Sequence, residues 1–195
     1  MFPFYSPKEL ERFKFAEMGK NIIIKRTVQF YNPKRVHLKN NIIIDDFCIV
    51  SAQKDVFIGN NVHINSYCSF YGKYGIIMED YTGLSNRVNL YTESDDYSGN
   101  SLTNPTIPIE FKPQYATGEI YIKKHAIIGT NTTIMPGIII GEGTAVGAHS
   151  FVTSNCEAWG IYFGVPAKKI KERSKKLLKF EKEYEKSKEA PPDRY

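Results

Sequence analysis

Residues 127–153 read "IIGTNTTIMPGIIIGEGTAVGAHSFVT". With the residues just before them, they return an aliphatic side chain at every sixth position: Ile122, Ile128, Ile134, Ile140, Val146 and Val152. Four places after each of the first five sits a small or β-branched residue: Ala126, Thr132, Ile138, Thr144 and Ser150. Glycine follows the anchor directly at Gly129, Gly141 and Gly147. A period of six fits neither an amphipathic helix nor a simple alternating strand. It fits a three-sided prism in which one hexad forms each side. The aliphatic anchor fills the interior and the small residue sits beside the corner. Stacked coils then pair strand on strand and bury one continuous core.

The same register runs upstream at Leu38, Ile44 and Val50, at Ile58, Ile64 and Phe70, and at Met78, Leu84 and Leu90. There the coils recur every twenty residues, as if two residues were added at one corner. Cys48 and Cys68 fall in the small inward slot of successive coils, which accounts for their spacing without chemistry. With Cys156 they make three cysteines, an odd number without metal-ligand spacing, and read as structural thiols. Parallel crossovers are generally right-handed. The spacing alone does not give the hand of this coil.

The hexads, with the closing "GVPAKKIKER" (residues 164–173), resemble the hexapeptide-repeat acyltransferases, and specifically their sugar acetyltransferase branch. The resemblance runs from about residue 38 to 171. It implies a left-handed parallel β-helix, an all-β solenoid, with acetyl-coenzyme A as co-substrate and a homotrimer as the assembly. It divides the chain into an N-terminal helical cap (1–20), the β-helix (21–165) with an insertion at 93–118, and a C-terminal helix and tail (166–195). The ends carry signals of their own. "SPKE" at residues 6–9 is a capping box with proline at the first helical position. It starts a short helix placing Leu10 and Phe13 over the first coil. After Pro166, a charged stretch with Ile170, Leu177 and Tyr184 reads as a helix with a thin apolar stripe, followed by a loose tail, "APPDRY".

Composition excludes several classes. The 195 residues, 42% hydrophobic and 24% charged, suit one soluble domain, and a cytoplasmic protein is expected. No apolar run approaches the roughly 20 residues that span a bilayer. The N-terminus lacks the charged and apolar regions of a signal peptide. A net charge of +5, concentrated in a Lys- and Glu-rich C-terminal stretch, reads as a solvated face. No aromatic–basic interleaving supports nucleic-acid binding. The four histidines (His37, His63, His125 and His149) lack the placement of a metal triad, so no metal is expected.

One segment breaks the repeat. Residues 91–99 read "YTESDDYSG", and the hexads do not resume until about residue 120. A loop this long in a compact domain is usually functional or disordered. Its aromatic and acidic content argues for function, with Tyr91, Ser94, Tyr97 and Asn104 as candidate acceptor-binding residues. In the resembling sugar acetyltransferases the loop begins Tyr-Thr-x-x-His, and that histidine is the base toward an acceptor hydroxyl. Here Tyr91, Thr92, Glu93 and Ser94 lead to Asp95 instead. An aspartate of ordinary pKa is a weak base at neutral pH. Asp95 and Asp96 facing one site would raise one another's pKa. A sugar amine needs less help than a hydroxyl, so the missing histidine tilts the acceptor toward an amine. His63 or His125, reaching across from a neighbouring subunit, is the alternative base.

For the donor, the resemblance implies a groove beside Gly129, Thr130, Gly147 and Ala148, with Lys168 and Arg173 toward the nucleotide phosphates. The expected activity is transfer of an acetyl group to a nucleotide-linked amino sugar in surface-polysaccharide or lipopolysaccharide biosynthesis. O-acetylation of a glycoside hydroxyl is the alternative within the class. A non-catalytic β-helix that binds a protein partner is the alternative outside it.

Overall fold

Each aliphatic anchor points into a triangular coil and leaves water almost completely. The structure, a computed structural model, describes residues 3–187. Three parallel sheets form the sides of the prism. The first stacks Glu17–Met18, Val36–Leu38, Val56–Ile58, Ile76–Met78, Ile120–Ile122 and Ile139–Ile140. The second runs from Ile22–Ile24 through Ile42–Ile44, Val62–Ile64, Gly83–Leu84, Ile127–Ile128 and Ala145–Val146 to Gly160–Phe163. The third stacks Gln29–Tyr31, Ile49–Ala52, Ser69–Gly72, Asn89–Tyr91, Thr133–Ile134 and Phe151–Val152. The result is a left-handed parallel β-helix.

Register lines the anchors up coil on coil. Leu38, Ile58, Met78, Ile122 and Ile140 form one buried row, and Val50, Phe70, Leu90, Ile134 and Val152 another, with the half-buried Phe30 at its open end. Burying one such side chain contributes about 1.5–3 kcal/mol, so the stack is the main source of stability. The corners explain residues that look chemical in sequence. His125 and His149 adopt left-handed backbone at φ 63° and 57°, where Asn41, Asn61 and Asn131 stand in other coils. The Cys48 thiol donates to the Asn65 carbonyl and the Cys68 thiol to that of Ser85, each at 3.1 Å. Glycine is required where coils meet most closely: a Cβ on Gly129 would lie 2.5 Å from the Ala148 nitrogen.

Helix α1 (Pro7–Leu10) opens with the glutamate arm of the capping box, the Ser6 amide donating to the Glu9 carboxylate at 2.8 Å, and the Ser6 hydroxyl donates to the same oxygen at 2.7 Å. Leu10 is buried, and Phe13 packs edge-on against Tyr5 and Phe30 over the first coil. The first coil begins at Glu17–Met18, earlier than the expected boundary after residue 20, because these residues pair with His37 and Leu38. The C-terminal expectation needs a larger correction. Residues Lys168–Glu172 form a strand, antiparallel to Gly160–Phe163, and Ile170 on it is exposed. Pairing there covers an open sheet edge, which outweighs the helical preference of the lysines. Helix α2 runs only over Leu177–Ser187. The expected tail at 190–195 lies outside the described residues.

Candidate active site

The insertion leaves the third side of the prism after Tyr91 and is closed at its base by a small antiparallel pair, Glu93–Ser94 with Ala116–Thr117. Between them the chain folds back over the corner and roofs a cleft of about 390 Å³. Tyr71 and Tyr91 from adjacent coils make its floor, stacked 5.0 Å apart and 11° from parallel. Ile107, Ile109 and Pro105 supply an apolar wall, and Lys73, Glu93, Asp95, Lys112 and Tyr115 supply the polar one.

The polar groups form two ion pairs. Lys73 Nζ lies 2.7 Å from Glu93 Oε2, and the Tyr115 hydroxyl donates to the same Glu93 oxygen. Burial, and then Glu93, push the Tyr115 phenol up to about 12, so it keeps its proton at neutral pH. The second pair is Lys112 with Asp95, at 2.7 Å. Lys112 is itself buried, rare for a lysine in a surface loop. Its ammonium also donates to the Asn104 carbonyl at 3.1 Å and stands 4.4 Å from the centre of the Tyr115 ring. Asp95 Oδ2 accepts the Asn104 amide at 2.9 Å.

These contacts change the reading of the acidic pair. Lys112, and then the Asn104 amide, hold the Asp95 carboxyl below the usual carboxylate range. Asp96 turns away from the cleft. Its two oxygens cap the amides of Ser98, Asn100 and Ser101 at 2.9, 2.7 and 3.1 Å, and the Ser98 hydroxyl donates to it as well. These bonds, led by the Ser98 hydroxyl, lower its pKa too. Mutual raising of the two pKa values, expected from sequence, does not occur because the carboxylates serve separate hydrogen-bond sets. Of the other loop candidates, Ser94 lines the cleft and Asn104 braces it, whereas Tyr97 is 92% exposed.

Within one chain neither candidate histidine reaches the cleft. His63 stands on the second side with Nε2 2.7 Å from Asp45 Oδ2. His125 is buried at the corner joining the first and second sides, its Nε2 3.1 Å from Glu181 of α2. Of the donor-side candidates, Gly129, Thr130, Gly147 and Ala148 lie at the corner joining the second and third sides. Thr130 donates to the Asn86 carbonyl at 2.7 Å. Gly129 is overlain by Ala148 of the next coil, and Gly147 by the ring of Phe163. Lys168 is exposed on the final strand. Arg173 is half-buried and donates to the His125 and Gly143 carbonyls at 2.8 and 2.9 Å, pinning the chain before α2. Among the described residues no group of three or more His, Cys, Asp or Glu side chains is gathered as a metal site.

Sequence reasoning missed Lys73, Lys112, Tyr71 and Tyr115. A signal existed for Lys112, the one cation in "PIEFKPQY" between apolar and aromatic neighbours, but only the folded loop brings it to Asp95.

Comparison with known proteins agrees with this architecture. The signature described as "Bacterial transferase hexapeptide (six repeats)" matches residues 119–154. A dTDP-4-amino-4,6-dideoxy-D-glucose acyltransferase of Escherichia coli is 39% identical over 174 residues, covering 89% of this chain and 90% of the relative. The N-acyltransferase AntD of Bacillus cereus, crystallised with dTDP-4-amino-4,6-dideoxyglucose and coenzyme A, superposes with a TM-score of 0.91 at 44% identity, over 96% of this chain and 99% of AntD. AntD has also been crystallised with dTDP and 3-hydroxybutyryl-CoA. A maltose O-acetyltransferase of Clostridium difficile, at 21% identity and a TM-score of 0.59, shares the fold. With likeness extending over nearly its whole length, the chain belongs to the hexapeptide-repeat acyltransferase family, as a relative of the sugar-nucleotide N-acyltransferases.

Proposed function

We propose that the enzyme transfers an acyl group from an acyl-coenzyme A to the amine of a nucleotide-linked 4-amino-4,6-dideoxy sugar. The observation that carries the acceptor chemistry is Asp95. It occupies the place where the resembling O-acetyltransferases keep a histidine, yet it is held ionised and is a poor base. A hydroxyl would stay unactivated there, but a neutral amine is nucleophilic without help. Asp95 then accepts a hydrogen bond from the amine and aims its lone pair, a matter of orientation. The stacked Tyr71 and Tyr91 offer an aromatic floor for the sugar. The AntD acceptor, dTDP-4-amino-4,6-dideoxyglucose, supports this substrate class.

The same relatives support further parts of the reading. AntD has been crystallised with changes at a serine and at an aspartate ten positions later. Ser85 and Asp95 have that spacing in this chain. The acyl chain is the open variable, because AntD accommodates 3-hydroxybutyryl-CoA as well as coenzyme A. A homotrimer is the proposed working form, and supply of an acylated sugar to a surface polysaccharide the proposed cellular role. The cytoplasm is the proposed location; no helix among the described residues is long and apolar enough to cross a membrane.

The test is an assay of thiol release from acetyl-, butyryl- and 3-hydroxybutyryl-CoA with dTDP-4-amino-4,6-dideoxyglucose, and with its 4-hydroxyl counterpart as control. Turnover of the amine alone is the expected result. Asp95→Asn removes the orienting charge and is expected to lower kcat/KM by roughly 10–10²-fold, less than the loss of a general base, which is commonly about 10²–10⁴-fold. Equal turnover of the hydroxyl sugar would overturn the amine assignment.

A further inference from the structure

Resting on that reading, we infer that Lys112 is a positioning residue that keeps the acceptor amine unprotonated, by neutralising Asp95 without occupying it. A bare carboxylate beside an amine stabilises the ammonium form, raising the amine pKa by roughly one to three units. That would bind the sugar well and disable it, because the ammonium has no lone pair for the thioester. The amine needs an acceptor to orient it, but one whose charge is cancelled.

The geometry meets both requirements. Lys112 Nζ is 2.7 Å from Asp95 Oδ1, close enough to cancel its charge. Oδ1 itself is shut off from solvent behind the lysine, which also donates to the Asn104 carbonyl at 3.1 Å. Lys112 therefore supplies charge on the Oδ1 side, and the acceptor capacity left for an amine is on Oδ2, which takes one hydrogen bond, from the Asn104 amide. Its place is fixed by burial and by the Tyr115 ring at 4.4 Å. The other titratable groups facing the cleft do not compete for this role. Lys73 and Glu93 neutralise each other at 2.7 Å. Tyr115 keeps its proton well above neutral pH, and burial raises the Tyr91 phenol from its ordinary value. Tyr71 faces the cleft as the stacking partner of Tyr91.

The transfer step balances without another base. The neutral nitrogen forms the C–N bond, the C–S bond breaks, and the nitrogen loses one proton while the coenzyme A sulfur gains one. Products are the amide and the free thiol. The pH at which kcat rises then reports the pKa of the amine in the bound complex.

The experiment is a double-mutant cycle read as the pH of that acid limb, with saturating dTDP-4-amino-4,6-dideoxyglucose and the acyl-CoA that the parent uses best. Lys112→Met leaves Asp95 unneutralised, so the limb moves up by roughly one to three pH units and kcat climbs back toward the parent's at high pH. Asp95→Asn leaves a lone cation, so the limb moves down. The double variant has neither charge, and its limb returns to the parent's position although the rate is lower. Lys112→Arg keeps the charge and the limb. A Lys112→Met profile that runs parallel to the parent's at every pH overturns the inference and makes the lysine a packing residue. Should Lys112→Met fail to fold, the charge-free double variant decides: a limb coincident with that of Asp95→Asn overturns the inference, and one restored to the parent's supports it. A parent that acylates no amine under any condition overturns the proposed function and this inference with it.

Discussion

Two adjacent carboxylates show how strongly a side chain's role depends on where its backbone donors lie. Asp95 points to Lys112 and the Asn104 amide, inside the cleft. Asp96, one residue on, gathers three backbone amides and a hydroxyl, and so defines the bend of the loop. Asp96→Ala removes four acceptor contacts at once and frees those donors to water. The expected outcome is a loop that is cut faster by protease and a raised KM for the sugar, with the thermal midpoint of the prism little changed. An unchanged proteolysis rate would show that the bend holds without it. Gly129→Val makes the opposite kind of change. Its Cβ would meet the Ala148 nitrogen at 2.5 Å, and backbone in a stacked coil yields little. A cost of about 1–3 kcal/mol is expected for such overpacking, read as a lower thermal midpoint.

At the scale of elements, α2 is a clasp whose hold depends on ionisation. Glu181 receives Lys124 and His125, while Tyr81 of the prism donates to Glu185 at 2.5 Å. Burial pushes the Glu181 carboxyl up, but Lys124 and His125 outweigh it and its pKa is lowered from 4.5. A lowered folded-state pKa means stability that is present above the ordinary carboxylate range and is lost as pH falls through and below it. Amide exchange in α2 should therefore quicken relative to the coils when pH drops from 7 to about 4, and Glu181→Gln should abolish the difference. The same helix marks where sequence stops being readable. Hexads are legible because each coil repeats one environment, so Ile58, Ile64 and Phe70 can be sorted by position alone. Residues 168–172 are not, because their strand state comes only from the free edge of Gly160–Phe163. The loop is less legible still. Asp95 could be singled out by its place after Tyr91, but its partner Lys112 is seventeen residues away in a segment with no repeat.

At the scale of the whole molecule, the proposed pairing of Ser85 with Asp95 cannot be completed within one chain. Asp95 lies beyond the far end of the third side, and Ser85 at its beginning, one prism side away. At about 3.3 Å per strand residue that side spans roughly 15–20 Å, more than two side chains bridge. The outward row of the second side is also apolar except at His63, with Ile23, Ile43, Gly83, Ile127 and Ala145 in the same register and Ile127 46% exposed. Apolar surface of that extent on a regular side is suited to contact with another copy. A threefold arrangement of parallel prisms would bring the Ser85 corner of one copy to the loop of the next and complete three sites. Sedimentation should then give a trimer. Asp95→Asn, slowed roughly 10–10²-fold, and a bulky Ser85→Trp, expected to be nearly inactive, should complement each other when co-expressed, because mixed trimers contain one interface with both parent residues. Activity well above the sum of the two single variants is the expected result. If the mixed trimers form but stay at that sum, Asp95 and Ser85 act within one chain, and the apolar side serves some purpose other than completing the site.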